Sequence, residues 1–402
     1  MRSEKAVGNH LIPVLFMGTF GILCTETGVI GILPQIAARF GVGVTEAGLL
    51  VSLFALAVAV SGATLPAALS KVNRKTVMLA VLGAFALGNV AFAFAPTFEV
   101  ALAARILPAF LHPVYCSAAF ALAASSTSEE EAPRATSKVM MGVSLGMVAG
   151  VPLSSLLANA SSVQTVMLVF AAVNAVAFAG TLLLVKPLPV AQKMSYVAQV
   201  SSVKNPRAVV SLVATACIQA AIFATYAYVA AYLGEVVGLA GEAQSALLLG
   251  FGIASLAGNY LAGRLLSKAA RATLLAFPAV VLAVYALLFF GAGAAALAVA
   301  AVVLWGLVYG FGNNVQQFAT STSMPDAPDF ANGLFISFGN IGIAVGTAAG
   351  GAALAAFGPQ ATVGASVLFV ILSAASLFAR SRFDARPLAE GAPGRLEQAS
   401  TR

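Results

Sequence analysis

Apolar runs long enough to cross a bilayer follow one another along almost the whole chain, interrupted only by short clusters of polar residues, Pro and Gly. A hydrocarbon core of roughly 30 Å needs about 20 apolar residues per helix. Breaking the sequence at the polar clusters gives twelve candidate spans, approximately 11–33, 46–69, 76–95, 98–124, 136–158, 165–185, 208–232, 243–266, 272–291, 295–321, 330–356 and 361–380. Composition agrees: 60% of the 402 residues are hydrophobic and 9% charged, against about 25% charged in a soluble domain. The chain reads as an all-α integral membrane protein. No cleavable leader is expected, because the run from Leu11 is long enough to span.

An even number of spans puts both termini on one side, and Lys and Arg choose the side. Of the 21 cations, all except Arg39 and Arg105 fall on the side of the termini. Both termini are therefore expected to be cytoplasmic, in a cell (inner) membrane. The loop sequence 69-LSKVNRKT-76 returns as 266-LSKAARAT-273, matching at five of eight positions. Each copy joins the second and third span of a six-helix half. The expected organisation is two pseudo-symmetric halves, 1–185 and 208–380, with a cytoplasmic linker at 186–207 and a tail at 381–402. Parallel repeats of this kind place a transport site between the halves. Glu129–Glu131 reads as a solvated turn. Cys24, Cys116 and Cys217 all lie in apolar segments and read as small buried residues.

Few ionisable side chains lie well inside the spans. They are Glu26, Arg105 and His112, and an intramembrane charge is a functional candidate with a partner to be found. If the first span ends at Leu33 before Pro34, Glu26 and Arg105 both sit about 10 Å below the outer surface. That depth suggests an acid–guanidinium pair. His112, seven residues after Arg105, is expected on the same face two turns deeper. A carboxyl balanced between burial and a neighbouring cation can exchange a proton with each side in turn. Arg105 would bias Glu26 or hold an anion, and His112 would be a second proton carrier or a substrate contact. The second half has no such charge. It offers Gln219 and Tyr226 on the seventh span, Asn313, Asn314 and Gln317 on the tenth and Asn340 on the eleventh, as ligand contacts or as helix–helix glue. On the fifth span Gly142, Gly146 and Gly150 recur every four residues and form a groove for a close neighbour. Pro152 can bend that helix.

These patterns together resemble the major facilitator superfamily over essentially the whole chain. The segment 66-PAALSKVNRK-75 is similar to that family's loop motif G-x-L-a-D-r-x-G-R-K, and 263-GRLLSKAAR-271 is a second copy. Both put serine, Ser70 or Ser267, in the place of the acid. The resemblance assigns a conformational role to Lys71, Arg74, Lys75, Lys268 and Arg271. The segment 105-RILPAFLHPVY-115 resembles the family's fourth-helix motif, and 142-GVSLGMVAGVPLSS-155 its antiporter motif on the fifth helix, which in the family packs the halves together. The nearest likeness is to twelve-helix drug:proton antiporters, of the arabinose-efflux and chloramphenicol-efflux type. The resemblance implies the major facilitator fold, with the first, fourth, seventh and tenth helices lining a central cavity.

The expected function is secondary active export of a small organic compound, a drug or a metabolite such as a sugar, by proton antiport with alternating access. The alternatives are proton-coupled uptake or uniport of a nutrient, and a non-transporting membrane sensor. No P-loop, metal-ligand cluster or nucleophile–base set is visible, so no enzyme activity, cofactor or metal is expected. Expected partners are the small-molecule substrate, protons and the lipid bilayer, without nucleic acid, for a monomer.

Overall fold

The structure, a computed structural model, describes residues 2–62, 64–69, 72–128, 132–185, 205–324 and 328–384. The Glu129–Glu131 turn, Lys71 and nearly all of the linker lie outside the described residues. Helix is the form in which a segment satisfies its own backbone groups in hydrocarbon, and the chain uses it in every span. The spans are α1 (Leu11–Phe40), α2 (Val44–Gly62), α3 (Arg74–Ala93), α4 (Phe98–Ala123), α5 (Lys138–Ala160), α6 (Val163–Leu184) and α7 (Pro206–Tyr226). One continuous 50-residue helical stretch, Gly241–Phe290, is interrupted by a non-helical backbone at Ala269 (φ −149°, ψ 57°). It therefore supplies two spans, α8 (241–268) and α9 (270–290). The last three are α10 (Ala295–Ser321), α11 (Pro328–Phe357) and α12 (Ala361–Asp384). Among the described residues there are thus twelve spans, as the hydropathy pattern predicts.

Two boundaries differ in ways that matter for the site. The first span does not stop at Leu33. It passes through a 3₁₀ turn, Val29–Ile32, and resumes as a helix over Leu33–Phe40 with Pro34 in its first turn. Pro34 starts a segment here rather than ending one, since a first-turn N–H has no intrahelical partner to lose. The fourth span is broken into Phe98–Ala109 and His112–Ser125. Pro108 and Pro113 flank the break and each removes a backbone donor.

The two halves repeat more closely than the loop motif indicates. A Cβ at Gly142, Gly146 or Gly150 of α5 would collide with α1, at the carbonyl of Phe16, the carbonyl of Phe20 and the Thr27 hydroxyl beside Cys24. A Cβ at Gly342, Gly346 or Gly350 of α11 would collide with the α7 carbonyls of Ala216, Ala220 and Ala224. The glycine sets and their receiving positions are each 200 residues apart. Small residues let backbones approach where lipid supplies no hydrophobic drive between helices. The three glycines of α5 therefore seat α1 within one half, while Val148 and Ser155 of the same segment meet α8 of the other half. Val148 lies against Gly252 of α8. The contact between the halves also extends beyond that segment, and Thr45 of α2 donates to the Gly351 carbonyl of α11 at 3.2 Å.

Arg380, the last residue of the expected second half, is buried near the end of α12. Its Nε donates to Ser211 Oγ at 3.0 Å and its Nη2 to Thr322 Oγ1 at 2.8 Å. α12 then runs on to Asp384, past the span end expected at 380.

Candidate functional site

A cavity of about 430 Å³ lies between the halves. Glu26 of α1 and His112, Pro113 and Cys116 of α4 line it on one side. Gln219 of α7, Tyr309, Asn313, Asn314 and Gln317 of α10 and Asn340 of α11 line the other. Apolar side chains such as Phe120, Met140, Met147 and Phe335 complete the wall. All the predicted polar contacts of the second half reach this cavity except Tyr226.

Glu26 pairs with His112, and not with Arg105. Glu26 Oε2 lies 3.5 Å from His112 Nδ1, and neither atom has a hydrogen-bond partner. The corrected span ends explain the pairing. Glu26 is fourteen residues before Phe40, and His112 is fourteen residues after Phe98, so both lie about 20 Å from the same end of the bundle. Reading Pro34 as a stop places Glu26 too near that end and matches it to the wrong residue of α4. The break at Phe110–Leu111 also means that His112 does not share a continuous helix face with Arg105.

Arg105 has a different task. It is 5% exposed, and its three hydrogen bonds all go to main-chain carbonyls. Nε donates to Leu50 of α2 at 2.8 Å, Nη1 to Thr25 at 2.8 Å and Nη2 to Glu26 at 2.6 Å. The guanidinium also sits 4.8 Å from the centroid of the Phe54 ring. It clasps α1 where that helix tightens toward its 3₁₀ turn, and ties it to α2. Two asparagines fix the same turn from the side. Asn89 of α3 and Asn174 of α6 each donate to Thr25 Oγ1 at 3.1 Å. Glu26 is therefore presented by a backbone held on three sides while its carboxylate is left facing the cavity. The sequence gives no sign of Asn89 and Asn174, which read as isolated amides in apolar helices.

On the opposite wall the amides are only partly used. Gln219 Nε2 reaches Asn313 Oδ1 at 3.4 Å, and Asn340 Nδ2 donates to the Ile336 carbonyl at 3.0 Å. Gln219 Oε1 and Asn340 Oδ1 are left without partners. Asn314 spends its amide nitrogen on Asn259 Oδ1 at 2.7 Å. A buried acceptor without a donor costs about 1–3 kcal/mol, so these oxygens favour a ligand that brings N–H or O–H groups. Cys116, read as an inert core residue, also lines the cavity, whereas Cys24 is buried in the α1–α5 contact.

Tyr226 is a correction. It stacks on Phe251 and Tyr309, with ring centroids 4.9 and 5.6 Å away, and meets Trp305 edge-on at 5.8 Å. Trp305 Nε1 donates to Tyr285 OH at 3.2 Å. At the 200-residue offset Tyr226 occupies the place of Glu26, and Trp305 that of Arg105. The second half thus fills with a packed aromatic cluster the positions where the first half keeps an acid and a clasp. Of that cluster Tyr309 lines the cavity. It is a contact that hydropathy hides, because a tyrosine inside an apolar run looks like core.

The cavity is shut at the end that carries the α1–α2 turn. There Ser155 Oγ of α5 lies 2.8 Å from Ser245 Oγ of α8, and Asn159 Nδ2 donates to the Gly241 carbonyl at 3.1 Å. Toward the other end a second void of about 580 Å³ adjoins it, sharing Asn314, Gln317, Asn332 and Phe335 and reaching Ser267 and Ser321. Arg74 and Lys75 are half-buried on that side, and Lys268 and Arg271 are exposed. Pro152 is buried within an unbroken α5 and makes no break in it.

Comparison with known proteins gives consistent results. A family model described as Major Facilitator Superfamily matches residues 15–347. The MFS-type transporter YtbD of Bacillus subtilis is 31% identical over 357 residues, covering 87% of this chain and 90% of its own. A chloramphenicol efflux pump of Mycobacterium tuberculosis is 29% identical over 349 residues, covering 85% and 84%. A solved bacterial homologue of the human lysosomal transporter Spinster superposes with a TM-score of 0.75 at 17% identity, over 94% of this chain and 97% of that one.

Proposed function

The chain belongs to the Major Facilitator Superfamily and is a multi-pass membrane transporter rather than an enzyme, and from that premise we propose that it exports a small organic compound by proton antiport. The observation that carries the reading is the Glu26–His112 pair. It is an acid and a base 3.5 Å apart with both facing atoms unbonded, set in the wall of a ligand-sized cavity. A cavity of this volume falls within the range of small-molecule sites. A proton arriving at the carboxylate removes its attraction for a charged imidazole. A substrate donor group would compete for the same oxygen. Proton and substrate thus exclude one another at Glu26, which is the requirement of antiport. Gln219 Oε1 and Asn340 Oδ1 add acceptors for a neutral molecule carrying hydroxyl or amide hydrogens, and the Phe and Met side chains take its apolar part.

The cavity is open toward the end that the Lys and Arg distribution marks as cytoplasmic. That is the orientation in which an exporter loads. Mutual approach at Ser155–Ser245 closes the opposite end, and its separation would release substrate. Everted vesicles loaded with a pH-sensitive dye test the reading, using chloramphenicol first because a relative is named for its efflux, then a panel of sugars and nucleosides. Substrate added to energised vesicles should release lumenal protons. Glu26→Gln should insert normally and lose the proton signal. Wild-type proton release from that variant refutes the assignment of Glu26.

A further inference from the structure

The repeated loop motif has a use that transport chemistry does not require. Its two copies are treated differently by the fold. In the first half two described residues of the motif are engaged by the protein. Asn73 accepts from Lys75 N at 2.9 Å to cap α3, and Lys75 Nζ donates to the Leu182 carbonyl of α6 at 2.8 Å. In the second half the cations are left outside. Arg264, Lys268 and Arg271 are all exposed, and among the described residues none of the three meets a carboxylate. What Arg264 does meet is an aromatic ring: its guanidinium carbon lies 4.5 Å from the centroid of Tyr260, a residue 63% exposed.

Tyr260, Arg264 and Lys268 follow at four-residue intervals and so share one face of α8. The helix breaks at Ala269, and exposed Arg271 follows two residues later at the start of α9. Leu256, Leu261 and Leu265 stand exposed alongside, as lipid-facing side chains do. The face therefore changes from apolar to cationic within two turns, with an amphipathic tyrosine at the boundary. We propose that this Tyr260–Arg264–Lys268–Arg271 face binds the phosphate headgroup of an anionic phospholipid. The ring holds the guanidinium fork flat, ready for bidentate contact with phosphate oxygens. Lys268 and Arg271 add point charges, and the leucines take the acyl chains. An anion without tails would leave that apolar strip uncovered, which is why the lipid and not free phosphate fits the surface. The assignment does not depend on which compound is transported.

Native mass spectrometry of the full chain, released from nanodiscs holding equal phosphatidylglycerol and phosphatidylcholine of the same chain length, tests it. The wild type should retain phosphatidylglycerol preferentially. Each basic residue near an anionic surface contributes about fivefold in affinity, so Arg264→Gln with Lys268→Gln should lower that retention on the order of 25-fold. Tyr260→Phe should keep most of it and Tyr260→Ala should lose part. Unchanged circular dichroism and melting in pure phosphatidylcholine would establish that the variants are folded. Wild-type retention by the double variant overturns the proposal. So does an equal loss from Arg74→Gln with Lys75→Gln, which would make the effect one of bulk charge. So too does displacement of the lipid by millimolar inorganic phosphate.

Discussion

Replacing Arg105 with lysine keeps the charge and removes the fork, and so separates a clasp from an ion pair. The guanidinium makes three hydrogen bonds to carbonyls on two helices, at 2.6–2.8 Å. A lysine ammonium is a compact donor on a flexible stem and can reach one of these sites at a time. Two bonds are therefore lost. Neutral interhelical bonds in membranes average about 0.6 kcal/mol, which sets a floor of roughly 1.2 kcal/mol for the pair. Bonds to a charged group contribute about 1.5–3 kcal/mol each, which puts the pair at roughly 3–6 kcal/mol. The low average for interhelical bonds in membranes places the expected loss at the bottom of that charged range, about 3 kcal/mol. Unfolding of the purified protein in mixed micelles by added SDS, followed by circular dichroism, gives the number. The companion variant is Glu26→Gln. Arg105 touches the Glu26 main chain and not its carboxylate, so the coupling between the two substitutions should stay at the low end for residues in contact, about 0.5–1 kcal/mol. A loss under about 1 kcal/mol for Arg105→Lys would show that the clasp is not structural. A coupling above about 1.5 kcal/mol with Glu26→Gln would restore the acid–guanidinium pair that the structure replaces.

Other expectations follow from particular contacts. Ser155→Cys with Ser245→Cys, replacing hydroxyls 2.8 Å apart, should form a disulfide under oxidation that stops transport, and reductant should restore it; transport by the cross-linked protein would mean this end does not open. Gly350→Ala places a methyl against the Ala224 carbonyl and should cost about 1–3 kcal/mol in the same SDS assay. Gly263→Ala, where a Cβ meets nothing within 4 Å, should be neutral or stabilising by up to about 1 kcal/mol, and equal effects at the two glycines would contradict the close α7–α11 approach. Gln219→Leu removes an unpartnered acceptor from the cavity wall. It should raise KM roughly tenfold for a substrate that donates to it, without changing the proton count per cycle, and an unchanged KM across the panel would remove Gln219 from the site.

Much of the architecture is legible in the chain, because the bilayer imposes it. Twelve apolar runs, their even number and the skewed Lys and Arg distribution follow from the cost of charge and of bare backbone in hydrocarbon. Glu26 and His112 stand out for the same reason, as do the amides of α7, α10 and α11 that the cavity gathers. The spacing of Gly142, Gly146 and Gly150 announces a close helix contact but not its partner, which proves to be α1.

What the tertiary structure decided is who meets whom. The pairing of Glu26 turns on whether Pro34 ends a helix or begins one, and a break between Pro108 and Pro113 takes His112 off the helix face of Arg105. Proline is compatible with either side of a helix boundary, so composition leaves that choice to packing. Arg105 finds backbone oxygens because the turn after Glu26 tightens, a feature of conformation that no side chain encodes. Tyr226 goes to the aromatic cluster because Phe251, Trp305 and Tyr309, distant in sequence, converge there. Solvent chemistry alone placed the charges at their depths, and only the contacts between helices gave each of them a partner.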